Sequence, residues 1–141
     1  MTDLQKYICS IINENDVVAD EEIKADLALG DNDLLASLVV KLIRADLLIM
    51  LTTVDGVRKQ SESGRTQRVK YLEKISRKTF SLVSGGASAL SKGGMTSKLK
   101  AVQVVSKAGC SAVIANGRQS GILSSIMMGK DVGTLVLAEG I

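Results

Sequence analysis

The chain has 141 residues, and its composition already excludes several kinds of active site. It contains no His, which rules out Ser-His-Asp triads and His-ligated metal ions, and two Cys residues are too few for a zinc site. The net charge is +3, yet residues 1–55 carry 11 acidic and 4 basic side chains, whereas residues 56–141 carry 4 acidic and 14 basic ones. This division is compatible with nucleic-acid binding by the basic part, or with carboxylates that hold a metal ion beside lysines that bind phosphates.

The sequence predicts no targeting or membrane element. The first ten residues include Asp3 and Lys6 and lack the apolar core of a signal peptide. The longest apolar runs, such as Leu47–Leu51, are far shorter than the roughly 20 residues that a membrane-spanning helix needs. We therefore expect a soluble, cytoplasmic protein.

The first part of the chain predicts a strand, a helix and a second strand. Tyr7–Ile12 is typical of a buried strand, and the polar run Asn13–Asp16 follows it. Asp31 or Asn32 is then positioned to cap a helix. Its apolar face is indicated by residues spaced by one, three and four positions, at Leu34, Leu35, Leu38, Val39, Leu42 and Ile43. Asp46–Leu51 predicts the second strand.

The middle of the chain has a weaker pattern. Asp55-Gly56 is typical of a turn. After it, a short helix face is compatible with the apolar residues Val69, Leu72 and Ile75. Ser81–Ser91 is rich in Ser, Gly and Ala and predicts a loop.

The last part of the chain predicts a longer helix and three further elements. Thr96 or Ser97 is expected to cap the helix, and Gly109 to end it. A strand, a short helix and a final strand are then predicted at Ser111–Ala115, Gly121–Met128 and Gly133–Ala138.

The alternation of strands and helices predicts one α/β domain over residues 1–141, with a largely parallel sheet and right-handed crossovers. Ligands of such sheets bind beyond the carboxyl ends of the strands. The polar loops at residues 13–16, 31–33 and 52–56 are therefore the first places to look for a site.

Two clusters of carboxylates and carboxamides lie in those loops, at Asn13–Asp16 and Gly30–Asp33. Together they are suited to an ammonium group, or to Mg²⁺ bound through water. The alternative is a solvated turn followed by a helix cap. Three consecutive polar residues are more than a cap requires, so both interpretations stay open.

Paired glycines, Gly93-Gly94, precede the predicted helix that contains Lys98. Backbone N–H groups at a helix N-terminus can approach an anion closely, and a lysine in the first turn can reach a transferring phosphoryl group. The spacing is not that of a Walker P-loop. A glycine loop that leads into a capped helix, with Lys98 and Lys100 in solvent, explains the pattern equally well.

Residues 58–78 carry eight basic and two acidic side chains. The chain has only three aromatic residues, too few for stacking on single-stranded nucleic acid, and no known nucleic-acid-binding motif. We therefore favour a solvated, mobile surface segment over a nucleic-acid interface. Cys9 and Cys110 lie in apolar contexts and are interpreted as buried and unreactive.

Taken in order, these segments resemble the glutamate 5-kinases of the amino acid kinase family. The resemblance covers most of the chain except roughly residues 58–90. It rests on the stretches Ile11–Val18, Glu22–Lys24, Gly30–Asp33 with Leu35–Ser37, Ala45–Thr52, Asp55–Val57, Gly93–Lys98, Ala112–Gly117 and Val132–Thr134.

The resemblance implies a three-layer α/β/α sandwich and a kinase that uses ATP and Mg²⁺ to phosphorylate the side-chain carboxylate of L-glutamate. The product is glutamyl 5-phosphate, which begins proline biosynthesis. Such phosphoryl transfer needs no His, because catalysis is mostly positioning and electrostatic stabilisation. The composition permits this chemistry.

The resemblance also implies roles for individual residues. Asp16 and Asn32 would contact glutamate, and Lys98 and Asp31 would be catalytic, with Asp31 and Asp33 near the metal. The nucleotide would be bound by Thr52, Thr53, Lys92, Gly93, Gly94, Met95, Thr96, Ser97 and Lys98. Thr53 stands where the family usually has Asp, and Lys92 where it usually has Thr.

A complete kinase domain of this family has on the order of 250 residues. The chain is therefore interpreted as the C-terminal, nucleotide-binding half of such a domain, without efficient turnover alone. We expect a homo-oligomer or association with the N-terminal half, because half a sheet exposes an apolar edge. The alternatives are a non-catalytic α/β module, such as a decayed or regulatory paralogue, and a nucleic-acid-associated domain that uses residues 58–78.

Overall fold

The computed structural model of the chain describes residues 10–12, 32–61, 64–84 and 89–140, and of residues 84 and 89–93 the backbone alone. Residues 10–12, the described end of the strand predicted over Tyr7–Ile12, are exposed and have no regular secondary structure. The elements in chain order are α1 (Asn32–Ile43), β1 (Leu47–Thr52), β2 (Arg58–Gln60), β3 (Thr66–Arg68), β4 (Tyr71–Leu72), α2 (Arg77–Ser84), α3 (Ala89–Lys107), β5 (Ser111–Asn116), α4 (Ile122–Met127) and β6 (Thr134–Val136).

A four-stranded sheet organises the described part of the chain, with the strand order β1-β5-β6-β4. β1 and β5 are parallel and pair along their whole length, from Leu47 opposite Ser111 to Thr52 opposite Asn116. β6 runs antiparallel to β5, and β4 runs parallel to β6. The predicted α/β fold with a largely parallel sheet is confirmed, with β5–β6 as its antiparallel junction.

Helices cover both faces of this sheet, which gives three layers. Along β5, Ala112 and Ile114 pack into the cluster that contains α1 and α3, whereas Val113 and Ala115 pack against Ile122 of α4. Successive side chains of a strand point to opposite faces, so a strand buried on both sides carries a continuous apolar run. The residues of β5 from Ala112 to Ala115 are all buried for this reason.

The predicted helix after Asp31 is present as α1, with Asp33 in its first turn and Lys41 in its last. These charges match the helix dipole. Arg44, directly after the helix, has a φ of 52°. The left-handed residue ends the helix and turns the chain into β1.

α3 ends as predicted but starts earlier. At its end, Gly109 (φ 86°) donates to the Ser106 carbonyl at 3.1 Å and Cys110 to the Val105 carbonyl at 3.0 Å, which is a Schellman motif. At its start, the helix includes Ala89, so the predicted cap at Thr96 or Ser97 is wrong. Ala, Leu and Lys, which favour helices, occur before the paired glycines and allow the earlier start.

The segment 57–84 contains a hairpin, a short strand and a helix, where the sequence predicted an irregular, mobile stretch. β2 and β3 form an antiparallel pair, with Arg58 opposite Arg68 at one end and Gln60 opposite Thr66 at the other. The predicted helix face at Val69 and Leu72 is wrong, because Leu72 lies in β4.

The predicted loop Ser81–Ser91 is occupied at both ends by helices α2 and α3. α2 begins where the side-chain oxygens of Ser76 and Thr79 accept hydrogen bonds from each other's backbone N–H groups. Ser76 N–H donates to Thr79 Oγ1 at 3.1 Å, and Thr79 N–H donates to Ser76 Oγ at 3.4 Å. This reciprocal cap fixes the start of the helix.

Among the described residues, no helix is long and apolar enough to cross a membrane.

Candidate active site

The carboxyl ends of β1 and β5 lie side by side and define the candidate site. The last residues of the two strands, Thr52 and Asn116, are opposite each other, and Gly117 N–H donates to the Thr52 carbonyl at 2.9 Å. Asn116 Oδ1 accepts from Arg118 N–H at 3.0 Å, which shapes the turn predicted at Asn116-Gly117. Ligands of α/β sheets bind at this kind of edge.

α1 leads into β1 and α3 leads into β5, and the two helices pack against each other. They bring two predicted site residues together. Lys98 Nζ lies 2.9 Å from Asp33 Oδ1 and 3.0 Å from Asp33 Oδ2. Their side chains are only 17% and 15% exposed. A partly buried ammonium held by a carboxylate is fixed in position, and its charge is less screened than at the surface.

The other described site residues differ in their exposure. Asn32 is the exposed first residue of α1, Thr52 is half-buried at the end of β1, and Thr53 is exposed just after it. In α3, Gly94 is exposed, and half-buried positions are occupied by Met95, Thr96, Ser97 and Lys98.

The predicted phosphate loop at Gly93-Gly94 is wrong as a loop. Both glycines, together with Lys92, lie inside α3, which begins at Ala89. Only the first four backbone N–H groups of a helix lack a partner within it, so the N–H groups of these glycines are positioned for helical hydrogen bonds. In this conformation, Lys98 lies in the third turn of a helix, where it pairs with Asp33.

Two predicted site residues, Asp16 and Asp31, lie outside the described residues, as do Asn13–Asp16 and Gly30. Cys9 also lies outside them. Cys110 is buried, as expected, and burial raises the pKa of its thiol.

The described part of the chain contains no group of three or more acidic or Cys side chains able to hold a metal ion. Both carboxylate oxygens of Asp33 lie within hydrogen-bonding distance of the Lys98 ammonium. A divalent cation on the same carboxylate would be placed against that positive charge. Asp33 therefore fits a positioning role for Lys98 better than direct ligation of Mg²⁺.

The loop after β1 carries an ion pair that the sequence analysis did not identify. Arg58 Nε and Nη2 donate to the two Asp55 oxygens at 2.9 and 3.0 Å. These hydrogen bonds hold the pKa of the Asp55 carboxyl below its usual value.

Thr134 is a second element of this edge that sequence reasoning missed. Because β6 runs antiparallel to β5, its first residue lies near the carboxyl end of β5, opposite Ile114. The fully buried Thr134 hydroxyl accepts from Val57 N–H at 2.9 Å and donates to the Val69 carbonyl at 2.6 Å. The Gly133-Thr134 dipeptide before a strand was the available signal, but only the fold gives it partners.

Among the described residues of segment 58–78, Arg58, Arg68 and Lys70 are paired with carboxylates. Besides Arg58, both Arg68 Nη2 and Lys70 Nζ lie 2.7 Å from the Asp131 carboxylate. The hydrogen bond from Lys70, followed by the one from Arg68, holds the pKa of the Asp131 carboxyl below its usual value.

A cavity of about 540 Å³ lies beside the same segment, and none of the predicted site residues lines it. Its walls are formed by Lys59, Val69, Tyr71, Leu72, Glu73, Lys74, Ser76, Lys78, Thr79 and Leu82. The candidate site at the sheet edge is thus separate from this cavity.

Comparison with proteins of known structure supports the fold. The chain superimposes on uridylate kinase from Archaeoglobus fulgidus with a TM-score of 0.55 and 22% identity, over 75% of this chain and 47% of that one. Carbamate kinase from Giardia lamblia bound to AMP-PNP gives a TM-score of 0.56 and 22% identity, over 77% and 36% of the two chains.

Comparison by sequence gives more similar relatives. Glutamate 5-kinase of Enterococcus faecalis is 38% identical over 139 residues, 97% of this chain and 51% of the relative. The Listeria innocua glutamate 5-kinase is 40% identical over 138 residues, 96% and 50% of the two chains. The chain thus spans about half the length of these relatives.

The family model of the amino acid kinase family matches residues 2–116, which is most of the chain. The resemblance inferred from the sequence is therefore confirmed, and the chain belongs to the amino acid kinase family.

Proposed function

We propose that the chain is the nucleotide-binding half of a glutamate 5-kinase, which phosphorylates the side-chain carboxylate of L-glutamate with Mg-ATP and so begins proline biosynthesis. The observation that carries this proposal is the 38% identity to the Enterococcus faecalis enzyme across nearly the whole chain. The ion pair of Lys98 with Asp33, which joins the helices that precede β1 and β5, supports it.

In the proposed reaction, a side-chain carboxylate oxygen of glutamate attacks the γ-phosphorus of ATP. The bond from that phosphorus to the bridging oxygen breaks, and ADP leaves with the electron pair. Negative charge on the transferring group and the leaving oxygen is stabilised by the Lys98 ammonium, which Asp33 keeps in place. Lys98 would act from a fixed position, which avoids reorganisation during the reaction.

The remaining assignments follow the family motifs. Asp16 and Asn32 would bind glutamate, Asp31 would assist catalysis, and Thr52 and Thr53 would contact the nucleotide together with residues 92–98. Mg²⁺ would enter with ATP as part of the substrate. Three further points stay predictions. They are the single domain over residues 1–141, the cytoplasmic location, and the formation of a homo-oligomer or the association with an N-terminal half.

Nucleotide binding by the chain tests this proposal. We expect Mg-ATP to raise the unfolding temperature, because a ligand at 100 times its Kd stabilises the folded state by about 2.7 kcal/mol. Lys98→Ala should weaken Mg-ATP binding in calorimetric titration. Lys100→Ala is the matched control, since Lys100 is an exposed lysine two residues further along the same helix. Wild-type protein that shows neither a shift nor binding heat at millimolar Mg-ATP contradicts the proposal.

The second candidate is a non-catalytic α/β module. It is favoured by Thr53 and Lys92 at family motif positions and by the helical conformation of Gly93-Gly94. Binding of Mg-ATP that L-glutamate leaves unchanged, with equal affinity in wild-type protein and Lys98→Ala, would support this candidate over the kinase.

A further inference from the structure

The loop after β1 is short and is bonded at both of its ends. At its start, the Thr52 carbonyl accepts from Gly117 N–H at 2.9 Å. At its end, Val57 N–H donates to Thr134 Oγ1 at 2.9 Å, and the Val57 carbonyl accepts from Val69 N–H at 2.8 Å. The residues between these two anchors, 53–56, include Thr53, which the proposed function places at the nucleotide.

The anchor at Val57 is fully buried. Val57 and Thr134 are both 0% exposed, and the Thr134 hydroxyl uses its proton for the Val69 carbonyl at 2.6 Å. One side chain therefore joins the loop after β1, the segment after β3 and the first residue of β6. Removing this hydroxyl would leave the buried Val57 N–H group and the partly buried Val69 carbonyl without that partner, which is costly.

Two glycines allow this close approach. Gly56 has a φ of 131°, and a Cβ atom there would overlap the Thr134 hydroxyl. Gly133 has a φ of 74°, and a Cβ atom there would lie 2.5 Å from the Ile114 carbonyl oxygen. Residues other than Gly rarely adopt either conformation, and a Cβ atom at either position would clash. Glycine at both positions therefore allows the two segments to pack closely around Thr134.

A guanidinium group holds the same junction from outside. Arg68 Nη1 donates to the Gly133 carbonyl, and Arg68 Nη2 donates to Asp131 Oδ1 at 2.7 Å. The Arg68 side chain is only 20% exposed. The peptide that leads into Thr134 is thereby fixed to β3.

We propose that Thr134 is a positioning residue for the nucleotide, because its buried hydroxyl sets the end of the loop that presents Thr53. Arg68 supports Thr134 through the Gly133 carbonyl. This inference rests on the proposed function. It extends that function to a residue far away in the sequence, at the start of the last strand.

The test compares Thr134→Val, which removes the hydroxyl at nearly constant volume, with Thr134→Ser, which keeps it. We expect Thr134→Val to weaken Mg-ATP binding about tenfold or more. It should also accelerate hydrogen exchange at the Val57 amide. Thr134→Ser should keep most of the wild-type affinity for Mg-ATP and most of the wild-type protection of the Val57 amide. A merely space-filling role for Thr134 would not predict this difference between Ser and Val.

Thr79→Val is the matched control, because Thr79 is also buried and its hydroxyl also accepts from a backbone N–H, at Ser76. It should lower stability without changing the Kd for Mg-ATP. If wild-type protein binds Mg-ATP and Thr134→Val binds it equally well, the positioning role is overturned and the proposed function is not. Wild-type protein that does not bind Mg-ATP overturns the proposed function and this role with it.

A second variant covers the case in which Thr134→Val does not fold. Arg68→Gln removes the contact with the Gly133 carbonyl from the more exposed side of the junction. We expect a smaller loss of Mg-ATP affinity, about threefold, whereas Arg65→Gln at an exposed position of the same hairpin should have none. Equal affinities of Arg68→Gln and wild-type protein overturn the inference.

Discussion

Two regions of the molecule are held together by different forces. In the first, formed by α1, β1, α3 and β5, packing is apolar, and Leu99, Val102 and Ile114 are fully buried. In the second, the hairpin of β2 and β3, every residue of β2 is exposed, and the hairpin is fixed to the region around β6 by the hydrogen bonds and the ion pair of Arg68. The first region therefore provides the stable frame, and the second is positioned by a few specific polar contacts.

The largest expected effect is in the apolar region. Ile114→Ala should lower the free energy of unfolding by about 2–5 kcal/mol, because it removes apolar contacts and leaves a cavity. Leu42→Ala is the control, since Leu42 is 84% exposed in α1 and should change stability by less than about 0.5 kcal/mol. Urea unfolding measures both. Equal losses would show that the two positions do not differ in packing as described.

The junction between the regions should be the next most sensitive place. Gly133→Ala combines a left-handed backbone with a Cβ atom 2.5 Å from the Ile114 carbonyl oxygen, and should cost about 2 kcal/mol or more. Gly129→Ala has a similar φ of 68° but open space around the Cβ position, so about 1 kcal/mol is expected. The difference in urea midpoint between the variants isolates the close contact. No difference would mean that the backbone there can shift.

The ion pair between Lys98 and Asp33 should contribute less. A double-mutant cycle with Lys98→Met and Asp33→Asn should give a coupling free energy between about 0.5 and 2 kcal/mol, since the pair is largely but not fully buried. The exposed pair of Arg58 and Asp55 should give less than about 1 kcal/mol in the same experiment. A larger coupling for the exposed pair would reverse the comparison.

The smallest effect is expected from pH and concerns the polar region. The pKa of Asp131 is lowered in the folded state, so its ion pairs stabilise the fold above the unfolded-state pKa of about 3.9 and lose this effect as pH falls below it. Wild-type protein should therefore lose more stability than Asp131→Asn between pH 5 and pH 3. Parallel losses in the two proteins would show that Asp131 does not contribute to the pH dependence of stability.

The sequence predicted the apolar region better than the polar one. α1 was recognised because its apolar residues recur with the helical period, and β1 and β5 because they are short continuous apolar runs. The end of α3 was recognised because Gly109 is the residue that a Schellman motif requires. The hairpin was missed because β2 and β3 have no apolar face. Its register depends on pairing and on the turn at Gly64, which hydrophobic periodicity does not reveal.

The candidate site was predicted in its residues but not in its geometry. Lys98 and Asp33 were both singled out, yet their pairing links positions 65 residues apart and depends on how two helices pack. The start of α3 was predicted too late because Gly93-Gly94 was expected to precede the helix. The helix-favouring residues before these glycines instead extend the helix back to Ala89. Thr134 was missed because its role exists only through Gly56 and Val57, which lie in another part of the chain.

The position of β6 between β5 and β4 has a consequence for how the chain folds during synthesis. β4 pairs with β6, so it has no place in the sheet until α2, α3, β5 and α4 have all been made. The frame of α1, β1, α3 and β5 can assemble first, because its last residue, Asn116, is made before β6. Insertion of β6 is a long-range closure, which is entropically costly and slow, and it completes the sheet and the nearby hairpin in one late step.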